Sequence, residues 1–113
     1  CKMADRGQIE GGLLDGPLAF DNAISPEAAR AKHIVSSVAG LADILLVPDL
    51  EAGNMIAKQL SYLAGADSAG IVLGTRVPIV LTSRADNVRT RLASTAVMTL
   101  VAHARRDKLL PKS

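Results

Sequence analysis

ADILLVPDLEAGN, residues 42 to 54, sets the fold class. Its first six residues, Ala42 to Val47, form an apolar run of the kind found in strands buried on both faces. Pro48 ends the run. Gly53 and Asn54 open a helix expected to reach about Ala64, where Gly65 closes it. Downstream, Ala69 to Leu73 and Val77 to Leu81 are two further apolar runs, the first ended by Gly74 and the second followed by Ser83. Asp86 is placed to cap the longest helix, from Asn87 to about Arg105. The middle of that helix, LASTAVMTLVA, is apolar nearly all round, which predicts packing on more than one side. Upstream, Ser25-Pro26-Glu27 combines a capping serine, a proline with pre-set φ and an acid at the positive end. It predicts a helix from Pro26 to about Val38, stopped by Gly40. Ile9 to Leu14 is a short strand candidate broken by Gly11 and Gly12, and the first six residues read as a helix tail capped by Gly7. Fully apolar strands alternating with helices predict an α/β fold with a largely parallel sheet.

Composition narrows the function classes. The chain has 113 residues, 49% hydrophobic and 21% charged, which excludes general disorder. A net charge of +2 and only two aromatic residues, Phe20 and Tyr62, argue against a nucleic-acid partner. No apolar run approaches the length of a membrane span, so no membrane partner is expected. One cysteine cannot form an internal disulfide, which fits a reducing compartment. Cys1 stands where an initiator methionine would, so the chain is expected to begin inside a longer protein. Charge is uneven: residues 1 to 83 hold six basic and nine acidic groups, and residues 84 to 113 hold seven and two. The basic end reads either as a field that steers an anion or as the solvated face and end of a helix.

The unusual polar residues follow the strands, where ligand crevices lie in open α/β sheets, although loops are polar in any case. Asp15 and Asp21 follow the first candidate strand, Asp49 and Asn54 the second, and Ser83, Arg84 and Asp86 the last. TSRAD, residues 82 to 86, joins a strand to a helix N-terminus, which favours anions; its arginine adds planar donors for phosphate or carboxylate. Its serine can donate to an oxyanion. The same residues also read as a serine–aspartate cap with a surface arginine. Gly53 and Asn54 permit close approach or ligand binding, or they form an ordinary strand–turn–helix junction. Asp21 reads as a ligand-orienting group or as turn chemistry. No phosphate loop, dinucleotide fingerprint or nucleophile elbow is present, and Cys1, His33 and His103 lack metal-ligand spacing.

Together, GPLAFDNAIS (16–25), ADILLVPDLEAGN (42–54), YLAGADSAGIVLG (62–74) and VPIVLTSRAD (77–86) resemble the phosphate acetyl/butyryltransferase family. The similarity is greatest to its butyryltransferase-like branch, which includes proteins that join such a domain to an enoyl-CoA hydratase-like one. It implies the C-terminal part of a two-domain enzyme. The fold implied is a three-layer α/β sheet with flanking helices, like isocitrate and isopropylmalate dehydrogenases. Residues up to about 74 would complete the second subdomain, and those from about 77 would return to the first. The implied activity is transfer of an acetyl or butyryl group between coenzyme A and inorganic phosphate. It implies no metal and no cofactor beyond those substrates, and a homodimeric, cytoplasmic parent. The family's Ser-Arg pair maps onto Ser83 and Arg84, serine toward the acyl and thiol groups and arginine toward phosphate. The acetyltransferase branch carries a catalytic aspartate where this chain has Thr90; the pattern SR-x-D places one at Asp86 instead. Asp21, Asp49, Gly53 and Asn54 are the expected substrate-binding residues.

Two other readings compete. A metal- and nicotinamide-dependent dehydrogenase of the related fold requires acidic ligands clustered on one helix, which the sequence lacks. A domain that serves only packing or oligomerisation requires no site at all.

Overall fold

Ser25 ends one helix and begins the next. In the computed structural model, which describes residues 1–107, α2 (Phe20–Ile24) terminates at Ser25, whose hydroxyl then accepts the amide of Ala28 at 3.2 Å to cap α3 (Pro26–Ala31). Pro26 occupies the first helical position, as the sequence predicts. A short α1 (Lys2–Asp5) precedes them, and Gly7 follows it at φ 70. The chain divides into two units, one of residues Cys1–Pro48 and one beginning at Asp49.

In the first unit, α3 stops at Ala31, seven residues short of the expected Val38. His33 takes φ 54, its amide bonds the Arg30 carbonyl, and the Ile34 amide bonds that of Ala29, both at 3.0 Å. This is a Schellman ending with histidine where glycine is usual, so no glycine marks it in the sequence. The chain then turns on Ser36, whose hydroxyl accepts the amides of Val38 and Ala39. It returns at Gly40, which donates to the Asn22 carbonyl at 2.7 Å. A Cβ on Gly40 would lie 2.6 Å from Pro26 Cα, so only glycine permits this approach. Asn22, Ala23 and Ala29 are buried beneath it.

The strand expected at Ala42 to Val47 is absent. These residues form no strand: Asp43 is a bend, the Ala42 amide makes a single bond to the Ala23 carbonyl at 3.1 Å, and Ile44 and Leu46 are exposed. An apolar run becomes a strand only when a neighbour completes its ladder, and no described segment of the chain does so. Ile9 to Leu14 fails as a strand for the same reason.

In the second unit, α4 (Leu50–Leu63) starts before its expected opening. Asp49 is the cap, its Oδ1 accepting the Ala52 amide at 2.7 Å, so Gly53 and Asn54 lie inside the helix. Gly65 at φ 65 follows its end. Strands β1 (Ile71–Val72) and β2 (Ile79–Val80) pair antiparallel, Ile71 opposite Val80 and Val72 opposite Ile79. The sheet formed is therefore not parallel: six residues connect the strands, too few for a crossover. Nor are both runs buried, since β1 is half-buried and β2 exposed. One face of the hairpin meets α5 (Val88–Arg106); no second layer covers the other among the described residues.

Ser94 fastens that contact. Completely buried on α5, it accepts the Gly70 amide at 2.9 Å and donates to the Thr90 carbonyl at 2.7 Å. Met98, one turn on, is the other buried residue of the helix. The rest of the apolar surface expected to be packed is open, with Leu92 65% and Leu100 70% exposed. Helix α4 packs against neither the hairpin nor α5.

Candidate functional site

The segment from Ser83 to Asp86 is a closed turn between β2 and α5. The Ser83 amide donates to Asp86 Oδ2 at 2.6 Å, and the Asp86 amide donates back to the Ser83 carbonyl at 3.1 Å. The Ser83 hydroxyl accepts the Ala85 amide at 3.3 Å. Asp86 is thus not the cap of α5. That is Asn87, whose Oδ1 accepts the Thr90 amide at 2.9 Å. The exchange follows from geometry: two adjacent short polar residues compete for one cap, and Asp86 is used in closing the turn.

Closure leaves specific groups free. Among the described residues the Arg84 guanidinium has no hydrogen-bond or ion-pair partner, and the residue is exposed. It stands four residues before the first residue of α5, whose N-terminus carries positive dipole character. A planar cation beside a helix N-terminus can hold a phosphate or carboxylate by two parallel bonds. Ser83 is half-buried, and its hydroxyl hydrogen remains available to a ligand.

One participant is not evident from the loop sequence. Arg91, on α5, donates from Nε to the Asp86 carbonyl at 3.1 Å and from an Nη to those of Ser83 and Arg84 at 3.3 and 3.5 Å. The signal available in the sequence is a cation near a helix N-terminus, where the dipole disfavours it. Its neighbour Arg89 is engaged elsewhere, with Asp67 at 2.7 Å.

The other expected residues belong to other elements. Asp49, Gly53 and Asn54 occupy the first turns of α4, and the Asp49 carboxylate serves as its cap. Asp21 lies in the first unit, where the Lys32 ammonium, 2.8 Å away, holds its carboxyl below the usual range. Asp15, also there, is lowered by the Ser36 hydroxyl and by the Gly16 amide. Among the described residues no three histidine, cysteine or acidic side chains cluster as metal ligands, and no helix is long and apolar enough to cross a membrane.

Comparison with known proteins adds the family. Residues 1–99 match the model of the phosphate acetyl/butaryl transferase family. The chain is 73% identical to a phosphate acetyltransferase of Rhizobium meliloti over 94% of its own length and 34% of that protein's. It is 62% identical to the phosphate acetyltransferase of Rickettsia felis, over 96% and 31% of the two chains. It is 52% identical to a phosphate butyryltransferase of Clostridium beijerinckii, over 90% and 34%. The chain thus spans about a third of the length of the relatives it matches.

Proposed function

This chain belongs to the phosphate acetyl/butyryltransferase family, and on that premise we propose that the whole enzyme moves an acyl group between coenzyme A and inorganic phosphate. The observation that carries the proposal is the closed Ser83–Asp86 turn, in which the Arg84 guanidinium has no partner among the described residues and the residue stands four positions before the start of α5. A phosphate oxygen attacks the thioester carbonyl. A carbon–oxygen bond forms, the carbon–sulfur bond breaks, and the departing thiolate takes the proton that the attacking hydrogen phosphate gives up. Arg84 and the helix terminus bear the phosphate charge, and the Ser83 hydroxyl donates to the carbonyl oxygen as it becomes an oxyanion. Asp86 serves by holding the turn. Substrate contacts from Asp21, Asp49 and Asn54, and backbone approach at Gly53, belong to the same proposal.

The family supports the rest. The chain is the C-terminal part of a three-layer α/β enzyme, with residues to about 74 in one subdomain and those from about 77 in the other. The parent is a cytoplasmic homodimer whose only small-molecule requirements are its substrates. In the complete fold the unpaired run at 42–47 and the open face of the hairpin gain partners, consistent with their apolar character. The test is incubation of the whole enzyme with phosphate and acetyl-, propionyl- or butyryl-CoA. Acyl phosphate and free thiol in equal amounts are expected; thiol without acyl phosphate would indicate a hydrolase instead.

A further inference from the structure

We propose that Arg91 is a positioning residue: its guanidinium sets the Ser83–Asp86 turn and, through it, where Arg84 and Ser83 meet substrate. The inference rests on the acyl-transfer reading above. The turn's internal bonds run between Ser83, Ala85 and Asp86. They close it but do not fix it to the helix. Among the described residues Arg91 is the one side chain from outside the turn that bonds to it. Its donors reach three carbonyls, those of Ser83, Arg84 and Asp86, so the plane of the fork fixes three peptide groups at once. A lysine presents a point charge without the planar fork and cannot hold all three in this way.

The location is informative as well. Val88 is the first residue of α5, so Arg91 lies one turn in, where a cation opposes the helix dipole. Helix stability alone does not favour arginine there; the carbonyls it reaches do. Its charge has a second consequence. With Arg84 nearby and Arg89 paired to Asp67, Arg91 adds a cation to the turn that Asp86 alone does not balance. It satisfies the carbonyl side of the turn and leaves the Arg84 side chain free for an anion.

The test uses the whole enzyme as wild type, Arg91→Ala and Arg91→Lys. Amide exchange at Ser83 and Asp86 is expected to accelerate by about tenfold or more in the alanine variant, with lysine between. Turnover is expected to fall about 10- to 100-fold in kcat, because misplacement of reacting groups acts on the chemical step. KM for acyl-CoA should move by less than about threefold, since the fault lies in alignment rather than ground-state binding. Added guanidinium ion should restore part of the alanine variant's kcat. If alanine prevents folding, the lysine variant carries the same exchange and kinetic readouts. Unaltered exchange at both amides, or a loss of turnover that appears wholly in KM, overturns the positioning role. A wild-type enzyme that forms no acyl phosphate overturns the acyl-transfer reading, and the exchange data then still decide whether Arg91 holds the turn.

Discussion

Asp86 illustrates how one carboxylate can be read in several ways. Its place before a long helix suggests a cap, and its place after Ser-Arg suggests a catalytic group. The observed bond from the Ser83 amide to Oδ2 makes it the clasp of the turn, while Asn87 caps the helix. The distinction is testable because an amide oxygen accepts as a carboxylate oxygen does. Asp86→Asn in the whole enzyme should keep turnover within about tenfold of wild type, whereas Asp86→Ala should lose roughly 100-fold by misaligning the turn. Steady-state kinetics of the pair decide it, and equal large losses would assign Asp86 to proton transfer. At this scale Ser83 and Arg84 were legible as polar residues at a strand–helix junction. Arg91 was not, because its role depends on three carbonyls whose directions exist only once the turn has folded.

The helices follow local signals more faithfully than the strands follow apolar runs, although α4 and α5 are capped by Asp49 and Asn87 rather than opened by Gly53–Asn54 and Asp86 as expected. Ser25-Pro26 started α3 where expected, and the long C-terminal helix has nearly the expected bounds. These signals are local: a cap needs only the next few amides. The end of α3 was missed because His33 took the left-handed conformation normally left to glycine. Strands were least legible, since pairing is a property of two segments, and Ala42 to Val47 has no strand partner among the described residues. The hairpin formed among the described residues is tied to α5 through Ser94. Ser94→Ala would leave the Gly70 amide without its acceptor, a loss of about 1–3 kcal/mol. Amide exchange at Gly70 should then quicken by roughly 10- to 100-fold, and unchanged protection would show that the hairpin holds without this bond. Gly70 is itself constrained, because a Cβ there would collide with the Leu81 carbonyl.

At the scale of the whole chain, most large apolar side chains among the described residues are not buried. Ile44, Leu46, Leu50, Leu63 and Leu100 are all largely exposed, although their composition is that of an interior. A chain that spans about a third of its relatives and leaves such faces open is expected to self-associate when purified alone and to show no transferase turnover. Light scattering and an acyl phosphate assay check both; an active, monodisperse monomer would contradict the assignment of missing contacts to the rest of the enzyme. The uneven charge, −3 over residues 1 to 83 and +5 thereafter, raises a question at the same scale: whether the basic end acts as a diffuse field or through a placed ligand. Arg105 is unsuited as a control, since it is half-buried and bonds the Thr75 carbonyl at 3.0 Å. Arg106 is exposed at the far end of α5 and carries the same charge.

The most direct measurement is therefore phosphate-dependent turnover of the whole enzyme as Arg84→Ala and as Arg106→Ala. Removal of a charge-assisted contact to the transferred phosphate should lower kcat/KM about 100- to 1000-fold for Arg84→Ala, with partial recovery in Arg84→Lys. Arg106→Ala should stay within about threefold of wild type, because solvent and salt screen its charge. Equal and mild losses in the two alanine variants would contradict the account and reduce Arg84 to one charge among several at the end of a helix.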